Sequence, residues 1–247
     1  MLNDRIEKIR LLIFDLDGTL VDSKDDIALS VNLALHSVGL PTFSIDRIIR
    51  EIGLGSEYLF RQLLGQSTPI NQIDQINQIE ELVGQFRRIY ADNLTLHTKL
   101  YSGVLDVLNH FSYLPKVIVT NKSQVFADRL VDFLELRLYF EAVFGLEAFS
   151  TRKPHSGPLL EVCKRWNQLP SHAAMIGDSV FDILAGKGAG LLTVSALYGF
   201  GSKSNEEIKR NQPDFEIKNA AELITLFNNK WMNRSTRIQF ENRIIIS

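Results

Sequence analysis

The chain has 247 residues, 45% of them hydrophobic and 23% charged, a globular balance with enough apolar surface for a sizeable core. Its net charge of −2, without a long basic run, leaves no electrostatic footprint for nucleic acid, and the single Cys163 excludes an internal disulfide. The opening MLNDRIEKIR has no apolar signal core and no stretch reaches membrane-spanning length, so the expectation is a cytoplasmic protein without a membrane partner.

Residues 11–15 (LLIFD) read as a buried strand. Four helical patterns follow: DDIALSVNLALHSVG, SIDRIIREIG, SEYLFRQLLG and QINQIEELVGQFRRIYADNL, with GQSTPINQ (65–72) as a loop between the last two. Ser23 and Asp26 fit a capping box opening the first of these helices, a structural role. KVIVT (116–120) is the second strand, AAMIG (173–177) the third, LLTVS (191–195) the fourth and DFEI (214–217) a short fifth. Helical patterns cover 122–134, 157–168, 180–188 and 219–228. Cys163 falls on the second of these and reads as a small buried residue.

Strands alternating with helices predict an α/β fold: a Rossmann-like, doubly wound parallel sheet covered on both faces. One connection is too long for that pattern. Roughly 95 residues separate the first two strands, whereas a βαβ unit needs about 30 in all. The excess predicts a small inserted helical cap domain over 24–95, with the α/β core formed by 1–23 and 96–227. Residues 228–247 fit neither the helix nor the strand period.

In doubly wound sheets ligands bind beyond the carboxyl ends of the strands. The first strand ends in Asp15 and Asp17, the second in Thr120, Asn121 and Lys122, and the third in Gly177-Asp178-Ser179 followed by Asp182; Lys153 lies in a loop before the helix leading to the third. One rim thus collects four carboxylates, the Thr120 hydroxyl and the Lys153 ammonium, with Lys122 next to Asn121. Oxygen donors without a histidine cluster suit Mg²⁺, held by carboxylates, water and substrate phosphate. A carboxylate beside such a metal can attack phosphorus and form an aspartyl-phosphate. Thr120 and Lys153 would bind phosphoryl oxygens, and Asp17 could protonate the leaving alcohol and later take a proton from water.

DLDGT (15–19), VTN (119–121), RKP (152–154) and GDSVFD (177–182) resemble, in order and spacing, the four motifs of the haloacid dehalogenase superfamily. FDLDGTLVDSKDDIALSVNLAL, GLPTFSIDRIIREIGLG, KPHSGPLLEVCKR, GDSVFDILAGKGAG and LYGFG narrow the resemblance to bacterial phosphoglycolate phosphatases and their nearest relatives, over about 11–227. The resemblance implies that Asp15 is the nucleophile and Asp17 the general acid/base. It implies phosphate binding by Thr120, Asn121 and Lys153, and Mg²⁺ ligation by Asp15, Asp17 through its backbone carbonyl, and Asp178, with Asp182 at or just behind the metal. Arg50, Gly53 and Gly55 are cap candidates for touching substrate. Leu54 departs from the small polar residue expected in this segment.

Single positions weigh the reactions within the superfamily. Asp17, two after the nucleophile, favours phosphate-ester cleavage over dehalogenation. Ile27, twelve after it, stands where mutases carry a histidine. The expected activity is hydrolysis of a small phosphorylated metabolite, 2-phosphoglycolate first, by a monomer or homodimer. A pyrophosphatase or sugar-phosphate phosphatase is the nearest alternative. From another class, a non-catalytic phosphate-binding or signalling module would also place an aspartate beside Mg²⁺.

Overall fold

The computed structural model describes residues 5–65, 72–201 and 205–228. The chain lays down strand β1 (Leu11–Phe14) and a two-residue strand β2 (Val21–Asp22), then leaves the sheet for four helices: α1 (Lys24–Ser37), α2 (Ile45–Ile49), α3 (Ser56–Leu64) and α4 (Gln72–Asn93). It returns through β3 (Lys99–Leu100) and α5 (Val104–His110), then alternates: β4 (Lys116–Val119), α6 (Gln124–Phe133), β5 (Ala142–Phe144), α7 (Gly157–Arg165), β6 (Ala173–Gly177), α8 (Val180–Ala189), β7 (Leu192–Ala196), α9 (Asn205–Arg210) and β8 (Phe215–Ile217). Residues 222–228 are helical.

The six-stranded sheet has the order β5-β4-β1-β6-β7-β8 with every neighbouring pair parallel. β1 lies inside it, with Phe14 in register with Ile118 on one side and Ile176 on the other. β1, β4, β6 and β7 are buried throughout, as parallel strands covered on both faces must be. Successive side chains point to opposite faces. Leu12 and Phe14 therefore join one apolar cluster, and Leu11 and Ile13 join another with Val117, Met175, Leu159 and Val162. Cys163 sits in that second cluster, 2% exposed. Burial pushes its thiol up to about 11, so it packs as a small apolar residue.

In the helical insertion α1 packs against α4, and Ile27, Val31 and Leu35, spaced along one face of α1, are buried. Phe60, Phe86 and Tyr90 carry this interior further: Phe86 stacks on Tyr90 with centroids 5.1 Å apart, and Phe60 meets Phe86 edge-on at 6.0 Å. Each such ring contributes about 1.5–3 kcal/mol when fully buried. The same cluster runs without a break into Phe14, Leu16, Ile118 and Phe126 beneath the cap. The loop expected over 65–72 lies, for 66–71, outside the described residues, as do 229–247 of the C-terminal stretch.

The sequence reading placed the five strands within one residue of where they lie. It missed β5, a three-residue edge strand, and the antiparallel pair β2–β3, in which Val21 faces Leu100 and Asp22 faces Lys99. That pair joins the outgoing and returning segments of the insertion.

The capping box at Ser23 and Asp26 is a correction. Ser23 is the residue before α1, but its side chain makes no cap hydrogen bond. Its hydroxyl donates instead to Asp17 Oδ1 at 2.5 Å. Asp26, fully buried, accepts from the backbone N–H groups of His97 and Thr98, from Thr98 Oγ1 at 2.7 Å, and meets His97 Nδ1 at 2.7 Å. The buried carboxylate is worth more to the chain's return segment, which has orphan N–H groups, than to a helix start. A capping box does occur at the start of α8, between Ser179 and Asp182.

Candidate active site

β1 delivers Asp15 to the carboxyl edge of the sheet, where its N–H donates to Ile176 O at 2.9 Å. Oδ1 accepts from Leu16 N at 2.7 Å and lies 3.0 Å from Lys153 Nζ. The chain then turns through Gly18 at φ +83°. A Cβ there would sit 1.9 Å from Asp178 Oδ2, so glycine is demanded twice, by conformation and by space. Asp178, 2% exposed, accepts from Thr19 Oγ1 at 3.2 Å and Gly201 N at 2.8 Å. Asp182, completely buried, accepts from Lys153 Nζ at 2.6 Å through Oδ1 and from Ser179 N and Oγ through Oδ2.

One oxygen from each of Asp15, Asp178 and Asp182 lies within 4.8 Å of the others. Against three carboxylates stands one buried ammonium, that of Lys153. Burial, opposed by Lys153, pushes the Asp15 carboxyl up to about 6. Burial and the charges of Asp15 and Asp182 hold Asp178 well above the ordinary carboxylate range. For Lys153, burial favours the neutral amine, but Asp15 and Asp182 outweigh it and raise the pKa. Three carboxylates thus crowd beside a single ammonium, which favours a further cation among them. Every donor in the group is an oxygen, the chemistry of a hard divalent cation. The residues present therefore fit such an ion.

Asp17 stands apart from this cluster. Both its oxygens accept from Lys122 Nζ, at 3.1 and 3.0 Å, and Oδ1 also accepts from Ser23. Thr120 is buried at the end of β4 with its hydroxyl oxygen accepting from Lys122 N at 3.2 Å. The Asn121 amide donates to Gly53 O at 2.7 Å and to Lys153 O at 2.9 Å. It thus joins the cap turn to the loop carrying the lysine. Asp15, Asp17, Thr120, Asn121, Lys122 and Asp178 line the floor of a cleft roofed by Gly53, Gly55, Ser56, Leu59, Phe86, Arg87 and Tyr90 of the insertion.

Residues 12–196 match the family of haloacid dehalogenase-like hydrolases. The chain belongs to that family. It is 33% identical to the phosphoglycolate phosphatase of Aquifex aeolicus over 224 residues, covering 90% of this chain and 98% of that one. It is 33% identical to the phosphoglycolate phosphatase of Escherichia coli K12 over 237 residues, covering 90% and 93%. Among solved structures, a predicted phosphoglycolate phosphatase from Haemophilus somnus 129pt superposes with a TM-score of 0.81 at 27% identity, covering 89% of this hydrolase and 98% of that chain. No helix among the described residues is long and apolar enough to cross a membrane.

The structure of the hydrolase brings Asp15, Asp17, Thr120, Asn121, Lys153, Asp178 and Asp182 together at one sheet edge, as the strand-end reading expects. It does not bring Arg50 there. Arg50 follows α2, is exposed and is not among the residues lining the cleft; nor is Leu54. The cap's cationic contribution to the lining is Arg87 of α4, and the apolar character comes from Ile52, Leu59 and Phe86. Sequence reasoning gave no role in the site to Lys122, Ser23 or Tyr90. Lys122 was detectable, because it directly follows Thr120 and Asn121 at a strand end. Tyr90 was not, since an aromatic at helical spacing reads as core.

Proposed function

We propose that this haloacid dehalogenase-like phosphatase is a Mg²⁺-dependent phosphomonoesterase working through an aspartyl-phosphate, with 2-phosphoglycolate as the leading substrate. The observation that carries the reading is the crowding of three carboxylates, Asp15, Asp178 and Asp182, beside the single ammonium of Lys153, with Asp15 and Asp178 opening onto the floor of a capped cleft. Asp15, Asp178 and the backbone carbonyl of Asp17 would hold the metal. Asp182 is completely buried and, unlike Asp178, does not line the cleft, so we assign it to fixing Lys153 rather than to ligation. When bound, Mg²⁺ supplies charge neutralisation at the phosphoryl oxygens.

The chain's own residues do the rest. Asp15 attacks phosphorus, and the P–O bond to the leaving alcohol breaks. Lys153 and the Thr120 hydroxyl hold the phosphoryl oxygens, where charge is greatest in the transition state. Asp17 gives its proton to the departing alkoxide and, in the second step, takes one from the water that attacks the aspartyl-phosphate. The cap excludes bulk water. Arg87, replacing Arg50 in this role, and the backbone N–H groups around Gly53 to Ser56 offer the contact for a carboxylate on the leaving group. The apolar cap wall of Ile52, Leu59 and Phe86 favours a second reading, an ester of a larger, less polar alcohol.

The test is phosphate release across a panel of 2-phosphoglycolate, glucose 6-phosphate, pyrophosphate and p-nitrophenyl phosphate, with and without EDTA. Chelation should abolish turnover and Mg²⁺ restore it. The kcat/KM for 2-phosphoglycolate should exceed that for glucose 6-phosphate by at least about tenfold, or 1.4 kcal/mol of transition-state binding. Full turnover in EDTA rejects the metal scheme. A larger ester or pyrophosphate beating 2-phosphoglycolate rejects the substrate and leaves the phosphatase standing.

A further inference from the structure

Lys122 is tied to three elements at once. It follows β4 in the core, its ammonium donates to both oxygens of Asp17 on the loop after β1, and it donates to Tyr90 Oη of cap helix α4 at 2.7 Å. Its side chain is 6% exposed, that of Asp17 13%, and Tyr90 is 1% exposed. An ammonium has three protons and no acceptor. Two contacts to Asp17 and one to Tyr90 use all three. The Tyr90 hydroxyl has no reason of its own to lie deep among Phe86 and Phe126, since a hydroxyl buried without a partner is unfavourable. Lys122 is its partner, and the phenol reaches it only while α4 lies over the sheet edge.

We propose that Lys122 is a positioning residue that makes the placement of Asp17 depend on closure of the cap, with Tyr90 as the cap's signal. With α4 in place, the Tyr90 hydroxyl fixes the third direction of the ammonium, and the ammonium with Ser23 Oγ holds both Asp17 oxygens in one orientation. When α4 swings away, the ammonium loses one partner and gains water, and Asp17 is free to turn. An acid misplaced by 1 Å loses most of its effect. Proton delivery is thereby confined to the closed state, in which the leaving alcohol is already enclosed. Asn121 adds a second tie across the same boundary through Gly53 O, so two consecutive residues after β4 read the cap's position. The proposal rests on Asp17 being the acid of the proposed function.

The test compares kcat/KM for 2-phosphoglycolate, whose alkoxide needs a proton to leave, with that for p-nitrophenyl phosphate, whose phenolate does not. Lys122→Met should lower the first at least tenfold and the second less than threefold. Tyr90→Phe, which removes one oxygen from an otherwise unchanged ring, should show the same pattern at three- to tenfold and serves if Lys122→Met does not fold. Adding Tyr90→Phe to Lys122→Met should cost less than twofold more, because the two act through one contact. Equal losses on the two esters, or losses that multiply in the double variant, overturn the proposal. Asp17→Asn separates it from the reading beneath. If Asp17→Asn lacks the ester difference, the acid assignment falls and the proposal with it. If Asp17→Asn has the difference and both Lys122→Met and Tyr90→Phe lack it, the coupling alone falls.

Discussion

Replacing Asp26 with asparagine leaves shape unchanged and reverses half of a buried acceptor. The carboxylate is fully buried and accepts from His97 N at 2.9 Å, Thr98 N at 2.8 Å and Thr98 Oγ1 at 2.7 Å, with His97 Nδ1 also in reach. The amide keeps one oxygen and turns an NH₂ toward donors. A hydrogen bond to a charged group contributes about 1.5–3 kcal/mol, and a buried donor left unpaired costs about 1–3 kcal/mol. Thr98 Oγ1 can rotate to another acceptor, but the backbone N–H groups cannot. The expected loss is about 2–4 kcal/mol, read by urea unfolding followed by circular dichroism at pH 7. Burial alone would raise the Asp26 pKa, but the hydrogen bonds from His97 and Thr98 outweigh it and hold it below the ordinary carboxylate range. A depressed folded-state pKa stabilises fully above the unfolded value of about 3.9 and less as pH falls through the folded one. The gap between wild type and Asp26→Asn should therefore be complete at pH 7 and close in acid below about pH 4. A gap under about 0.5 kcal/mol at pH 7, or one that widens in acid, refutes the reasoning.

Asp15→Asn should fold with an unchanged circular dichroism spectrum and release no phosphate above background, since the amide is a poor nucleophile toward phosphorus. Arg87→Ala should raise KM for 2-phosphoglycolate about tenfold while changing that for p-nitrophenyl phosphate less than twofold, checked by steady-state kinetics. Gly18→Ala places a methyl group 1.9 Å from Asp178 Oδ2 at a φ of +83°. It should cost at least about 1–3 kcal/mol of stability and abolish phosphate release, measured by denaturant unfolding and phosphate assay.

The sheet was legible because parallel strands buried on both faces must be continuous apolar runs, and LLIF, KVIV and AAMIG are such runs. The strand-end residues were legible for the same reason: once the strands are placed, Asp15, Thr120 and Asp178 share one rim. β2 and β3, two residues each, carry too few side chains to show a period. Ser23 and Asp26 misled because their spacing matches a local motif, whereas their partners are Asp17 and residues 97–98. A partner 71 residues away leaves no local pattern. Arg50 misled similarly, because closeness to the Gly53 turn in sequence does not fix which way a helix end faces. Arg87 and Tyr90, on a later helix, are what the fold turns toward the cleft.

Asn121 grips the cap by a main-chain oxygen, the carbonyl of Gly53, and not by any side chain of the insertion. A backbone handle is indifferent to which amino acids surround it. Apart from Gly53 and Gly55, which the positive φ of the turn holds as glycine, the stretch over 50–57 can therefore drift in sequence, and with it the surface offered to a leaving group, without loosening the join between the two halves of the molecule. The same amide also holds Lys153 O, so the catalytic floor is held constant by the residue that tolerates a changing roof. Such an arrangement lends itself to recombination. A cap grafted from another member of the family needs to reproduce a turn of the right shape, and its recognition surface can then be selected independently of the chemistry below.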